Sequence, residues 1–416
     1  MSLPLTLDTS AQPSFASADP APAQRALESL WGQGGGEPRA FLRLPQDDAT
    51  AGRIADWAVR APEVDDIVLV GVGGSALSAP IMAALAPRDS AERPALHVLD
   101  EVDPAFVEDR LATIDPSRAM LLVISKSGST LEPRAIFGLF EAHFHARLGA
   151  RAQDRIAVIT EAADNPLRTI AESRGYTTFE LPSAVGGRYS ALTSVGLVPA
   201  ALLGVAPDRL LAGAREILPA LQSPDLATNP ALALAHAHMA AYGSGRERAL
   251  LWCYGERLVP VGAWWVQLVA ESLGKQGASG PEGCAPAWAR GPADQHSLLQ
   301  RLLDGPDDTL TTFLSTPTTG TGAQVPSGSG PASDVPLGSL LEIQRKATQD
   351  AIDSRKRPYL DMRLRDHSPE TVAALLVTWQ LAVAVWGVAR GIDPFDQPGV
   401  ALGKEATLRR LDDLRT

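Results

Sequence analysis

The chain has 416 residues, enough for about two or three domains. Its 45% of apolar and 20% of charged residues are ordinary for a globular protein and exclude a disordered or fibrous one, while its net charge of −11 argues against a nucleic-acid-binding protein, which needs clustered positive charge. The two cysteines, Cys253 and Cys284, form neither a disulfide framework nor a thiolate metal site, and they favour a reducing, cytoplasmic compartment.

The first 24 residues are rich in Pro, Ala and Ser and predict a loose arm, which we extend to residues 1–40. After this arm, short apolar runs alternate with helical patterns, as is typical of βαβ units and a parallel sheet. The predicted strands are 67–70, 96–99, 120–124 and 156–159, and the predicted helices are 76–85, 104–112, 132–147 and 166–173. We therefore assign residues 41–210 to a first α/β domain, with a boundary near 205–225.

The same alternation returns in the second half of the chain, which we assign to a second α/β domain over residues 225–392 and a tail at 393–416. The pattern predicts a strand at 249–254 and helices at 227–242, 263–273, 298–303, 340–353 and 369–390. The apolar run 371–389 nearly reaches the ~20 residues that cross a bilayer. Because it carries Gln380 and two threonines, we predict a buried core helix and no membrane contact.

A glycine-rich turn, GVGGS at residues 71–75, follows the first strand and opens a helix. Its glycines allow a ligand oxyanion to approach the backbone, and the helix N-terminus supplies free N–H groups and a positive dipole end. The turn also fits the loose dinucleotide fingerprint, with Asp100 ending the next strand. An NAD-dependent dehydrogenase and a turn without a ligand are therefore alternatives.

A second polar turn, SKSGST at residues 125–130, again stands between a strand and a helix. Its hydroxyls, its lysine and its glycine suit a phosphate, although the turn is not a Walker A loop. Because both turns follow strands of a parallel sheet, they predict one phosphate site at its carboxyl edge. The alternative is a helix start that is only capped by serine.

Three further segments carry candidate acid–base or charged groups. In GGRYS at 186–190, the glycine pair lets the Arg188 guanidinium reach an oxyanion, although an ordinary surface arginine is the alternative. Glu271 is the one carboxylate in a long apolar helical stretch and suits a general base. Its alternative role is an ion pair with Lys275 at a helix end.

Two C-terminal candidates are less specific. His296 precedes a helix and could act as acid or base near neutral pH, while a structural role is the alternative. Lys404 follows the breaker-rich segment FDQPGVALG, and its alternative is a solvated lysine. The histidine spacings contain no HExxH, so we predict no metal site.

Six motifs, taken in order, resemble those of the phosphoglucose isomerase family over residues 65 to about 410. They are GVGGS, SKSGST, GGRYS, ESLGK at 271–275, the QH pair at 295–296 and FDQPGVALGK at 395–404. The stretch GGRYSALTSVGLVPAAL is most similar to the isomerase portion of transaldolase–isomerase fusions. The resemblance implies two doubly wound sugar-isomerase (SIS) domains, each an αβα sandwich. It also implies cofactor-free interconversion of glucose 6-phosphate and fructose 6-phosphate.

Roles for individual residues follow from the same resemblance. Glu271 matches the base that moves the proton between C1 and C2, and Arg188 matches the residue that stabilises the cis-enediol(ate). His296 and Lys404 match the groups that assist ring opening, and the histidine comes from the partner subunit, so a homodimer is implied. The positions that match the substrate-phosphate contacts are Gly74, Ser75, Ser125, Lys126, Ser127 and Thr130.

Departures from the family pattern leave the substrate range open. Gln380 and Leu381 stand where many members carry Glu and His, and Ala401 stands where many carry Glu. Mannose 6-phosphate is therefore a possible second substrate, and a non-catalytic sugar-phosphate-binding protein of the same fold is a further alternative. The chain retains all four acid–base and charged candidates, which argues against the non-catalytic protein. They are Arg188, Glu271, His296 and Lys404.

Overall fold

A computed structural model describes residues 3–9, 18–32, 39–87, 94–277 and 280–415. In this part of the chain the first sheet has five parallel strands in the order β3-β2-β4-β5-β6. They are β2 (Asp66–Val70), β3 (Ala95–Leu99), β4 (Ala119–Ile124), β5 (Ile156–Thr160) and β6 (Thr177–Glu180). The central strands β4 and β5 are buried along their whole length, which explains their unbroken apolar sequences.

The second sheet has the order β1-β12-β11-β7-β10. Its strands are β1 (Leu5–Asp8), β7 (Arg248–Tyr254), β10 (Ala285–Gly291), β11 (Thr309–Ser315) and β12 (Tyr359–Leu364). All are parallel except β1, which pairs antiparallel with β12. The short strands β8 (Lys275–Gly277) and β9 (Gly280–Glu282) pair antiparallel.

Helices connect the strands and cover the sheets, which confirms the predicted α/β class. In chain order they are α1 (Ala21–Leu30), α2 (Ala40–Arg43), α3 (Asp48–Arg60), α4 (Gly74–Leu77), α5 (Ala79–Leu85), α6 (Pro104–Thr113), α7 (Leu131–Leu148), α8 (Pro166–Arg174), α9 (Ser194–Leu202), α10 (Pro207–Gln222), α11 (Pro230–Gly243), α12 (Val259–Leu273), α13 (Leu299–Asp304), α14 (Leu337–Ser354), α15 (Pro369–Ala389) and α16 (Ala401–Arg415).

The expectation of a loose N-terminal arm is wrong for its described residues. Leu5 is buried and lies in the edge strand β1, which reaches across the chain to β12. Helix α1 buries Ala23, Leu27 and Leu30 and contacts α15. Apolar side chains at strand and helix spacing thus override the Pro- and Ser-rich composition, because burying them stabilises the fold.

Helix α15 is the central helix of the core, as its apolar sequence predicts. It is long and apolar enough to cross a membrane, but 89% of its most apolar 18-residue window is buried inside the protein. It contacts α1, α10, α11 and α12. Helix α10 occupies most of the stretch 205–225 and packs on both α3 and α15, so this stretch is a helix of the core.

Candidate active site

The two polar turns meet at the carboxyl edge of the first sheet. Strands β2 and β4 are neighbours in register, so the turns that follow them, 71–75 and 125–130, lie side by side. Together they line a cavity of about 520 Å³ with residues of α12 and the C-terminal segment. Nine of the ten predicted site residues line it, namely Gly74, Ser75, Ser125, Lys126, Ser127, Thr130, Arg188, Glu271 and Lys404.

Close backbone contact holds the first turn against the loop that carries Arg188. A Cβ atom at Gly74 would lie 2.2 Å from the carbonyl carbon and oxygen of Gly187, so no larger residue fits there without displacing backbone. A Cβ atom at Gly73 would lie 2.8 Å from Nε2 of Gln267, in helix α12. The turn therefore brings the first sheet, the 186–190 loop and α12 together.

The second turn presents hydroxyls at the start of α7. The Ser125 and Thr130 hydroxyls are 3.4 Å apart, and the exposed Ser127 and Ser129 hydroxyls are 3.0 Å apart. Gly128 has φ +63°, and a Cβ atom there would lie 1.9 Å from Oδ1 of Asn165. Among the described residues no side chain caps the N-terminus of α7, so its N–H groups remain available to an anion in the cavity.

Lys126 is held by protein oxygens. Its Nζ donates to the carbonyl oxygens of Ser183 at 2.7 Å and Val185 at 3.1 Å. It also lies 3.3 Å from a carboxylate oxygen of Glu161, which lines the same cavity. These contacts fix the ammonium beside the loop that leads to Arg188, at the wall of the same cavity.

Glu271 lies in the last turn of α12 and opens onto the cavity. Its side chain is 24% exposed, and its Oε2 accepts a hydrogen bond from Nε2 of Gln267 at 3.2 Å. The Arg188 Nη1 is 3.5 Å from the same oxygen. The carboxylate is therefore accessible to a ligand while one of its oxygens is oriented by an amide and a guanidinium.

Arg188 is 1% exposed and donates in three directions. Its Nε donates to the Ser272 hydroxyl at 2.7 Å and its Nη1 donates to Oε1 of Gln397 at 3.0 Å. Its Nη2 donates to the carbonyl oxygens of Pro394 at 2.6 Å and Asp396 at 2.8 Å. The guanidinium is thus a fixed positive charge between Glu271 and the segment that precedes α16.

The remaining two candidates differ in location. Lys404 lies in the exposed helix α16 and lines the cavity. His296 is exposed at the end of the 3-10 turn Ala293–His296, and it is not among the described residues that line the cavity. Within one chain the structure therefore brings Lys404 to Glu271 but leaves His296 elsewhere on the surface.

Sequence reasoning missed several residues that surround Glu271. Gln267 has the helical i,i+4 spacing to Glu271 and could have been found by that signal. Gln397 lines the cavity and accepts a hydrogen bond from Arg188, which is more than two hundred residues away in the sequence. Glu161 follows β5, a strand that the motifs did not mark. Contacts of this kind depend on the assembled sheet, so local spacing carries no signal for them.

Comparison with known proteins agrees with these motifs. The sequence profile of the family described as "Phosphoglucose isomerase" matches residues 48–293. The chain is 33% identical over 393 residues to the glucose-6-phosphate isomerase of Rubrobacter xylanophilus, covering 90% of this chain and 89% of that protein. It is 35% identical over 390 residues to the glucose-6-phosphate isomerase of a strain of Thermus thermophilus, covering 90% and 91%.

Solved structures give the same result for the fold. A hypothetical protein of Thermus thermophilus superposes with a TM-score of 0.90 at 32% identity, covering 98% of this chain and 99% of that one. A glucose-6-phosphate isomerase of Chlamydia trachomatis shares the fold with a TM-score of 0.84 at 21% identity, covering 99% and 89%. On the family profile and the two relatives above 30% identity, the chain belongs to the phosphoglucose isomerase family.

Proposed function

We propose that this chain is an aldose–ketose isomerase that interconverts glucose 6-phosphate and fructose 6-phosphate. The observation that carries the proposal is a single cavity lined by the 125–130 turn, Arg188 and Glu271. Such a cavity can hold a sugar phosphate by its anionic end and present its carbon chain to a carboxylate. A dehydrogenase would have no use for the second polar turn or for Lys404, both of which line the cavity.

In this proposal the phosphate binds to the hydroxyls and N–H groups of the two turns. The phosphate is remote from the reacting carbons, so its binding energy can hold C1 and C2 beside Glu271. Glu271 removes the proton from C2 of the open-chain aldose, and the electron pair forms the C1–C2 double bond while O1 takes a proton. Return of the proton to C1, with loss of the O2 proton, gives the ketose. The fixed charge of Arg188 favours the enediolate.

The cyclic sugar must open before this proton transfer, and we assign that step to Lys404 and to His296 of a second copy. The exposure of His296 outside its own cavity supports a homodimer that brings it to the neighbouring site. The exposed leucines of α16, at 402, 408 and 414, support a partner at this helix. The proposed location is cytoplasmic, and the buried, unpaired cysteines are consistent with it.

The direct test is a coupled assay of the purified chain with fructose 6-phosphate, with mannose 6-phosphate in parallel. We expect formation of glucose 6-phosphate without added metal or nucleotide. Conversion of mannose 6-phosphate at a similar rate would show the dual isomerase. Binding of both sugar phosphates without conversion would contradict the proposal and favour the non-catalytic protein.

Replacing both Ser125 and Thr130 by alanine should weaken substrate binding and leave turnover nearly intact. Each hydrogen bond to a charged group contributes about 1.5–3 kcal/mol, so KM should rise at least about tenfold. The measurement is a steady-state comparison with the control pair Thr169→Ala and Ser173→Ala, whose exposed hydroxyls bond to carbonyl oxygens at residues 165 and 170. A fall in kcat at unchanged KM would show that the phosphate lies elsewhere.

Mixing two inactive variants tests the shared site. Glu271→Gln and His296→Ala each disable one group, but a mixed dimer has one site with both groups intact if the histidine acts across the interface. Equal mixing of exchangeable subunits should then restore about a quarter of the wild-type activity. If light scattering shows a dimer, native mass spectrometry of differently tagged variants shows subunit exchange, and the mixture stays inactive, the histidine does not act in trans.

A further inference from the structure

The segment 393–397 connects α15 to the short turn Pro398–Val400 and then to α16, which carries Lys404. It is neither helix nor strand, and its residue Gln397 and the following Val400 line the active-site cavity. The position of Lys404 relative to Glu271 therefore depends on how firmly this segment is held. An aromatic contact holds the segment, since the ring centroids of Phe395 and Tyr189 are 5.2 Å apart.

Two cations hold the backbone of the segment. Arg188 donates to the carbonyl oxygens of Pro394 and Asp396. Lys275 donates through Nζ to the carbonyl oxygens of Asp393 and Asp396, the latter at 2.6 Å. The Asp396 carbonyl oxygen accepts from both cations, so the lysine and the arginine act on the same peptide group.

Lys275 also connects this contact to the base. It lies two positions after Leu273, the last residue of α12, and four residues after Glu271, and its side chain is only 10% exposed. Its ammonium donates to a third oxygen, Oδ1 of Asp396, at 2.6 Å, which balances the charge. Three oxygens that converge on one nitrogen suit a compact ammonium better than a planar guanidinium. The chain contains only five lysines among 37 Lys and Arg residues, so a lysine here is not the default choice.

We propose that Lys275 is a positioning residue that, by binding the carbonyl oxygens of Asp393 and Asp396, fixes the segment 393–397 and so holds Lys404 at the cavity that contains Glu271. This inference rests on the proposed isomerase function, in which Lys404 assists ring opening. Lys275 is not among the described residues that line the cavity of the phosphate turns, so its loss should disturb turnover more than binding of the phosphate. The neighbouring cavity of about 860 Å³, which Lys275 lines, leaves room for the segment to move when the ammonium is removed.

The test uses Lys275→Met in the full chain, with Lys346→Met as the control because Lys346 is exposed on α14. Displacement of a catalytic group by about 1 Å can cost up to about 100-fold, so we expect kcat of Lys275→Met to fall about 10- to 100-fold with KM nearly unchanged. In a Lys404→Met background, Lys275→Met should lower kcat by less than about threefold more, because the two residues act in series. Independent losses that multiply, or a wild-type kcat for Lys275→Met, would overturn the proposal.

Hydrogen exchange gives a readout that does not depend on activity. Amides of residues 393–404 should exchange faster in Lys275→Met than in the wild type or in Lys346→Met, while amides of β4 should not change. Unchanged exchange in 393–404 would refute the positioning role of Lys275, whether or not the wild-type chain is active. Absence of isomerase activity in the wild type would instead refute the proposed function. If Lys275→Met does not fold, Lys275→Arg decides: faster exchange in 393–404 and a lower kcat support the proposal, and wild-type values of both overturn it.

Discussion

Glu271→Gln should abolish nearly all isomerase activity while the protein still binds the sugar phosphate. Glutamine has almost the same size and can still contact Gln267, but its amide cannot accept and return a proton. General acid–base groups contribute about 10²- to 10⁴-fold, and we expect a loss of kcat in this range. The measurement combines the coupled assay with calorimetric binding of glucitol 6-phosphate, which keeps the phosphate and lacks the carbonyl group.

Exchange of substrate hydrogen with solvent gives a sharper test of the same assignment. In deuterium oxide the wild type should exchange the transferred hydrogen of its product with solvent, whereas Glu271→Gln should leave both C1 and C2 unlabelled. The control is Glu172→Gln, which removes an exposed carboxylate that pairs with Arg168 at 2.8 Å. Wild-type labelling by Glu271→Gln would show that another group is the base.

Much of the first sheet could be predicted because its buried strands are continuous apolar runs, and two of them, β2 and β4, end in glycine- or hydroxyl-rich turns. The runs 67–70, 120–124 and 156–159 lie within β2, β4 and β5. Buried parallel strands require apolar side chains on both faces, so they stand out without any alignment. Two of the motifs follow such strands, and this is why the six predicted phosphate-binding residues reach one cavity.

Other elements give weak local signals for physical reasons. Strand β10 contains no β-branched residue, and it contains Pro286, which lacks an N–H group and is tolerated because β10 is at the edge of the sheet. Strand β12 alternates buried and half-buried residues, and its Asp361 accepts hydrogen bonds from the buried Arg345. Helix α10 contains Gly213 and Pro219, which resemble chain breakers, yet the glycine lets α10 lie directly against the start of α15. Long-range contact, which the sequence does not display, decides each of these elements.

Electrostatic roles were harder to predict than positions. Lys126 stands in the expected turn, but its ammonium is taken by two carbonyl oxygens that come almost sixty residues later. The helical spacing of Glu271 and Lys275 suggests an ion pair, but Lys275 instead donates to oxygens of Asp393 and Asp396 in the segment 393–397. A side chain's charge is visible in the sequence, whereas the oxygens that surround it appear only when the chain has folded.

Arg188→Lys should lower kcat by about 10²- to 10³-fold, because a lysine keeps the charge but cannot be held in the Arg188 geometry beside Glu271, where we propose that the enediolate forms. It should also lower the free energy of unfolding by about 1–3 kcal/mol, because a lysine cannot reach Ser272, Gln397 and the two carbonyl oxygens together. The measurements are steady-state kinetics and urea unfolding of the same preparation. KM should change little, since in the proposed complex the 125–130 turn holds the phosphate end and the hydrogen bonds of Arg188 go to other segments.

A second buried arginine separates the effect of losing the Arg188 guanidinium from general loss of stability. Arg345, in α14, is 2% exposed and pairs with Glu342 of the same helix and with Asp361 of β12. It is not among the described residues that line the cavity. Arg345→Lys should therefore destabilise the protein by a similar amount and keep its kcat. An equal loss of kcat in both variants would mean that activity follows general stability, and a wild-type kcat in Arg188→Lys would remove the guanidinium from the mechanism. A loss confined to Arg188→Lys is explained by the loss of a guanidinium that is held at 3.5 Å from the Glu271 carboxylate.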